Sequence, residues 1–422
     1  MINKLKPKSE FSRNVLTLMT GTTIAQAIPI AISPILTRLY TPEDFGVFAL
    51  FLAITSIFGS IANARYELAI MLPKKDEDAI NIVALGIIIT TIFSFLIFLV
   101  ILIFHTEIVE LLNNKEISFW LYFIPFVVFF TGLYNVLVYW NNRKKYYKAL
   151  AKATVIKSMA GAITQLSIGF IKTGPLGLIS GQIASNIFAN GKLFKNLIKE
   201  KNLLKNIKKI KIIAMFRKYI NFFRYSSIAT LFNGFYHMGM PILINIFYSS
   251  SIVGWYFFAN KMVRLPLSLI FSSFSQVYYQ KASSLYNEKK IEELYQFTLK
   301  IQFKIGVILL FWLVILSSIG PFIFGLIFGE NWIEAGEYIK YFAIFIFFNM
   351  LYSPISSIGD ILNKQKLLLF FNISITLSQI IAIFLLSDIL SFKYTLLVIS
   401  ILGSIHFIFL NFYMMNILKG KK

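Results

Sequence analysis

Apolar residues in this chain run in long uninterrupted blocks, not in the alternation of a strand or the three-to-four spacing of a half-buried soluble helix. The stretch 82–104 holds no charged residue, and it exceeds the roughly 20 residues that carry a helix across a bilayer. Hydrocarbon offers no water to the backbone, so each block must satisfy its own hydrogen bonds and predicts a helix. A window of about 19 residues places spans near 14–37, 45–66, 80–104, 118–140, 150–171, 175–193, 222–247, 252–274, 302–328, 335–358, 367–387 and 394–418. The pattern predicts an all-α integral membrane protein of twelve transmembrane helices. One segment breaks it. Between Lys192 and Arg224, Leu193, Leu197, Ile198, Leu204 and Ile207 recur at spacings near three and four among eleven basic residues and one acidic residue, Glu200. That is the pattern of an interfacial amphipathic helix, expected to lie on an anionic leaflet.

Charge adds orientation. The 422 residues carry 41 Lys and Arg against 19 Asp and Glu, a formal charge of +22 on a chain that is 57% hydrophobic. The basic residues gather in every second gap: the N-terminal arm, Arg143-Lys144-Lys145, the 192–224 segment, 281–304 and the Lys419/Lys421/Lys422 tail. The gaps between hold at most one Lys or Arg each, and Glu330, Glu334 and Glu337 make one of them acidic. Basic loops resist translocation, so both termini are expected in the cytoplasm of a bacterial inner membrane. The basic excess then reports lipid headgroups, and no nucleic-acid partner is expected. The N-terminal arm resembles a signal peptide, but its apolar run continues past Ala25 and Ala27, so cleavage is not expected.

The basic linker divides the chain into lobes over 1–194 and 222–422, with 195–221 between them, and the lobes share a pattern. Pro34-Ile35-Leu36 leads to Tyr40, and Gly46 follows six residues later. Pro241-Ile242-Leu243 leads to Tyr248, and Gly254 follows six residues later. Six spans per lobe make a parallel repeat, a pseudo-two-fold along the membrane normal that places a substrate site between lobes.

Several chemistries are excluded. There is no Cys, hence no disulfide or cysteine nucleophile, and no phosphate loop, His-Glu-x-x-His or nucleophile elbow. His105, His237 and His406 are isolated in sequence, so no metal site and no cofactor are expected. A coupling ion, H+ or Na+, stays open, with His237 and Asp360 as the candidate groups.

Three segments carry a resemblance. They are Thr37-Arg38-Leu39-Tyr40-Thr41-Pro42-Glu43-Asp44-Phe45-Gly46; Arg65-Tyr66-Glu67-Leu68-Ala69-Ile70-Met71-Leu72-Pro73 with Asp76-Glu77-Asp78 and Asn81; and Leu265-Pro266-Leu267-Ser268-Leu269-Ile270 with Ser275-Gln276-Val277. They resemble the Wzx-type O-antigen or oligosaccharide flippases of the multidrug/oligosaccharidyl-lipid/polysaccharide exporter superfamily. The specific motifs cover about a tenth of the chain, mostly N-terminal. The resemblance implies two six-helix bundles working by alternating access, without enzymatic chemistry. The implied cargo is an undecaprenyl-pyrophosphate-linked oligosaccharide for O-antigen or capsule, and other polysaccharide-assembly proteins are the implied partners beside membrane lipids. Alternatives are a peptidoglycan-precursor (lipid II) flippase, a multidrug exporter of the same superfamily, or a polysaccharide polymerase or ligase. The short external gaps argue against the last.

Some cations are not explained by topology. Lys157, Lys261 and Arg264 fall inside predicted spans, while Arg38 and Arg65 stand at helix ends; Lys340 is expected at the interface. An ionised side chain at mid-membrane costs about 2.5–3.5 kcal/mol on insertion scales, so it should face a cavity or a partner. No predicted span has a central Asp or Glu. A one-signed interior suits an anionic ligand, which makes Arg264, Lys261, Arg65, Lys157 and Arg38 the candidate pyrophosphate contacts. Arg264 and Lys261 share a helix face at an i, i+3 spacing. Polar residues such as Asn63 and Gln165 read first as helix–helix contacts.

Overall fold

The computed structural model describes residues 10–420 apart from 173 and 363; the side chains of 10–15, 269, 270, 272, 273, 276, 277, 360 and 365 are also outside the description. The expected basic residues Lys4, Lys6, Lys8, Lys421 and Lys422 thus lie outside the described residues. No strand occurs among those described. Among the described residues eight helices are long and apolar enough to cross a membrane: Leu16–Leu39, Pro42–Ile61, Asp76–Ile103, Ser118–Arg143, Ile291–Phe328, Glu330–Ile355, Lys366–Leu386 and Phe392–Gly420. The chain is a multi-pass membrane protein. The fifth to eighth expected spans, over 150–274, are helical but are not among these eight. They carry the interior lysines and arginine, and the seventh is interrupted.

The chain forms two compact units, Met1–Ile242 and Leu243–Lys422. The first contains α1 (Glu10–Leu39), α2 (Pro42–Ile61), the single turn α3 (Tyr66–Ala69), α4 (Asp76–Ile103), α5 (Ile124–Arg143), α6 (Tyr147–Gly169), α7 (Leu176–Lys199), α8 (Lys209–Lys218) and α9 (Ser227–Met238). The Thr41-Pro42-Glu43-Asp44 segment starts α2 for a local reason. The Thr41 hydroxyl accepts from the Asp44 N–H at 3.2 Å and Asp44 Oδ2 accepts from the Thr41 N–H at 2.8 Å, a reciprocal cap with proline at the first helical position. Tyr40, just before it, donates its hydroxyl to the Gln165 carbonyl of α6 at 2.6 Å. Its ring occupies the space where a Cβ would stand at Gly169 or Gly177, so α6 and α7 close around it only because both positions are glycine.

The core of this unit lies toward its basic end, where Tyr66, Ile70, Ile80, Trp140 and Leu193 are fully enclosed. The linker docks there. Asn81 of α4 donates to the Asn206 carbonyl at 3.1 Å and accepts from the Lys208 N–H at 2.9 Å, so one side-chain amide reads a stretch of linker backbone. Tyr66 stacks on Phe216 of α8 with ring centroids 5.7 Å apart and donates to the Phe216 carbonyl at 2.9 Å. One face of the linker, expected on an anionic leaflet, is bonded to protein, while Ile210, at 83% exposure, points away. The expected seventh span is two helices. After α9, Gly239 and Pro241 interrupt the ladder before α10 (Met240–Phe247), because proline has no N–H to donate. α9 packs on α2 within the first unit.

The second unit contains α11 (Ser250–Asn287), α12 (Ile291–Phe328), α13 (Ile333–Tyr352), α14 (Gln365–Leu386) and α15 (Phe392–Gly420). α12 and α13 pack through Gly320 and Gly336, where a Cβ would come within 2.6–3.0 Å of the opposing backbone. Lys393 of α15 bridges Glu334 at 2.8 Å and Glu337 at 2.6 Å on α13, which explains the acidic gap seen in the sequence. Tyr248 donates to Thr395 at 2.8 Å, tying the start of this unit to its last helix as Tyr40 ties the start of the other.

Candidate functional site

Each unit holds lysine inside its helices. In the first, α6 turns Lys157 toward α5, where its Nζ lies 4.5 Å from the centroid of the Tyr134 ring. In the second, Lys261 of α11 lies 5.7 Å from the ring of Phe257, one turn earlier on the same helix. Neither lysine has a carboxylate partner among the described residues. An aromatic face offers a desolvated ammonium electrostatic attraction without cancelling its charge.

Arg264 is held from two helices. Its Nε donates to Asn260 Oδ1 at 2.6 Å and its Nη1 to Asn349 Oδ1 of α13 at 2.8 Å, with the guanidinium carbon 5.8 Å from the Phe345 ring. Two amide oxygens fix the orientation of the fork. Arg264 therefore leans toward α13, and Lys261, which shares its helix, stays beside Phe257. Asn260 lies at i−4 to Arg264 and was legible from spacing. Asn349, 85 residues further on, was not.

The remaining candidates stand apart in the first unit. Arg38 donates to its own helix at the Pro34 carbonyl, 2.6 Å away, capping the end of α1. Arg65 precedes α3 in a left-handed conformation, φ 62°, directly after Ala64 at φ 50°. Two consecutive non-glycine residues there store about 1–3 kcal/mol each. The conformation aims Arg65 Nη1 at Glu67 Oε1, 3.0 Å away. Glu67 is 1% exposed, and its Oε2, like Arg65 Nε, is buried without a hydrogen-bond partner. Burial pushes the Glu67 carboxyl up, with Arg65 opposing more weakly. His237 is exposed on α9, its ring 4.7 Å from Tyr236. Asp360 lies in the helical turn Ile358–Ile361, and its side chain is outside the described residues. Lys340 is exposed. No group of three or more His, Cys, Asp or Glu that could hold a metal occurs among the described residues.

A second set of cations sits at the basic end of the first unit. Asp76 at the start of α4 accepts from Arg143 Nε at 2.8 Å and from Lys144 Nζ at 2.9 Å. Lys144 also reaches Glu200 at 3.4 Å, and Arg143 donates to the Ile70 carbonyl at 3.0 Å. Burial works to lower the Lys144 pKa, but Asp76 and Glu200 outweigh it and the net shift is upward. In the sequence, Arg143 and Lys144 report topology alone, and Asp76 belongs to the second segment of the family resemblance.

Asn63 donates to Thr90 at 2.6 Å and to the Gly132 carbonyl at 2.9 Å, joining three helices, as expected of buried amides.

Comparison with known proteins gives a consistent setting. A family model described as polysaccharide biosynthesis protein matches residues 35–337. Among solved structures, an inward-facing multidrug resistance MATE family transporter of the MOP superfamily matches at 14% identity, covering 96% of this chain and 95% of that one, with a TM-score of 0.71. The lipid II flippase MurJ in its inward closed conformation matches at 14% identity over 95% of this chain and 87% of that one, TM-score 0.73. A MOP superfamily transporter from Pyrococcus furiosus matches at 14% identity over 97% and 96%, TM-score 0.58. No curated protein matches the chain by sequence. The fold is that of a MOP-superfamily transporter.

Proposed function

The chain belongs to the polysaccharide biosynthesis protein family, and from that premise we propose that it flips an undecaprenyl-pyrophosphate-linked oligosaccharide to the outer leaflet of a bacterial inner membrane. It is a membrane transporter, not an enzyme. The observation that carries the cargo reading is the pair of half-buried lysines, Lys157 and Lys261, each resting on an aromatic ring with no carboxylate partner among the described residues. A buried cation without a counter-ion costs free energy, and a pyrophosphate supplies the missing charge during transport. Arg264, Lys261 and Arg65 make the principal contacts in this reading; Lys157 and Arg38 assist. Alternating access, twelve membrane-spanning helices in two parallel six-helix lobes, and cytoplasmic termini complete the proposal. The start of each half supports the repeat: Tyr40 and Tyr248 both tether the helix that follows to a distant helix of the same unit.

The test is genetic. Cells lacking the chain should grow normally yet lose surface polysaccharide, and the parent gene should restore it. Arg264→Ala combined with Lys261→Ala should fail to restore it at normal membrane expression. Full export by that double variant would overturn the site assignment. Lethality with accumulated peptidoglycan precursor in the deletion would favour the lipid II reading instead.

A further inference from the structure

The helices α1 and α6 run in the same direction, with Gly21 pressed against Ala151 at the basic end of the first unit and Tyr40 against Gln165 at the other. Beside the Gly21–Ala151 contact lies an open cleft of about 910 Å³, within the range of small-ligand sites, roughly 300–1,000 Å³. Its apolar walls are Leu16 and Ile24 from α1 and Val155 and Ile156 from α6. Two lysines border it, Lys152 of α6 and Lys192 of α7, and neither has an ion pair or hydrogen-bond partner among the described residues. Leu16, Ile24 and Lys152 are exposed and Lys192 is half-buried. The side of α1 is open for a structural reason: α1 packs chiefly on α6, and only 17% of its apolar window is buried.

We propose that this cleft holds the polyprenyl pyrophosphate carrier, its two phosphates against Lys152 and Lys192 and its hydrocarbon chain along Leu16, Ile24, Val155 and Ile156. The inference rests on the reading that the cargo is pyrophosphate-linked. Charge complementarity selects this occupant: two ammonium groups without a partner among the described residues match two phosphates, whereas phosphatidylglycerol brings one. The apolar walls select a lipid over free pyrophosphate, because hydrocarbon placed there covers surface that is otherwise left open. The cleft lies within one unit, on different residues from Lys261 and Arg264, so it serves as a loading site for the carrier, distinct from the interior contacts.

Native mass spectrometry of the purified full-length protein tests this with four probes: undecaprenyl pyrophosphate, undecaprenol, phosphatidylglycerol and inorganic pyrophosphate. Undecaprenyl pyrophosphate should be retained at least tenfold better than the other three. Lys152→Gln with Lys192→Gln should abolish that preference, Lys152→Arg with Lys192→Arg should keep it, and Val155→Trp should obstruct the cleft while leaving the lysines in place. These positions border open space, so thermal stability should stay at the parent value. Equal retention of phosphatidylglycerol by the parent would overturn the proposal in favour of an ordinary lipid contact, and so would unchanged undecaprenyl pyrophosphate binding in the Gln and Trp variants. Failure of the cargo reading is separable: it appears as normal surface polysaccharide in cells lacking the chain, whatever the cleft binds.

Discussion

Lys144 and Lys157 lie thirteen residues apart in the first unit, yet they meet opposite electrostatic settings. Lys144 stands at a helix end, paired with Asp76 and Glu200. Lys157 is three turns into α6, against the Tyr134 ring, with no carboxylate partner among the described residues. The second unit repeats the contrast, with Lys393 bridging two glutamates and Lys261 set against Phe257. The difference teaches that the basic surplus is two populations. Cations at helix ends are consumed in tying helices together. Lys157 and Lys261, inside, have no carboxylate partner among the described residues, and in a low-dielectric surrounding an uncompensated charge attracts an anion far more strongly than it would in water.

The largest expected effect exchanges the two settings. Lys157→Gln should lower surface polysaccharide at least about tenfold, the loss of one charge-assisted contact of about 1.5–3 kcal/mol, with little change in thermal stability. Lys144→Gln should leave export near the parent value. Equal export by the two variants would erase the distinction between the populations.

A smaller effect is expected at the Asp76 hub. Asp76→Ala should lower stability by at most about 1 kcal/mol, since Asp76 is 37% exposed and its pairs are screened by solvent. Salt titration of the melting temperature checks this: the gap between variant and parent should narrow as ionic strength rises. A gap that persists at high salt would mean that the hub acts through packing.

The smallest concerns Glu67, which belongs to neither population. Its carboxyl is enclosed and pushed above the ordinary carboxylate value, so the charged form is disfavoured relative to the unfolded chain. The penalty is present above the raised pKa and disappears as pH falls below the unfolded value. Glu67→Gln should therefore match the parent in acid and equal or exceed its melting temperature at neutral and alkaline pH. A variant less stable at high pH than at low would show that the Arg65 pairing dominates.

Much of the architecture was legible because hydropathy is a local property. The eight long apolar helices fall on expected spans, and Thr41-Pro42-Glu43-Asp44 announced the start of α2 through its own capping chemistry. The fifth to eighth spans were less legible. A helix lined by neighbours tolerates lysine and asparagine, so its apolar signal weakens where the candidate site begins. The linker's pattern identified an amphipathic helix but not what its apolar face would cover. The answer came from Tyr66 and Asn81, more than a hundred residues upstream.

What the sequence alone determined is where helices form and where basic and acidic gaps alternate, since both follow from residues adjacent in the chain. Which cations are neutralised was decided by tertiary structure. Arg143 meets Asp76 across 67 residues and Lys393 meets Glu337 across 56. Side-chain charge is local information, but its cancellation requires a partner within about 4 Å, and only packing brings such partners together.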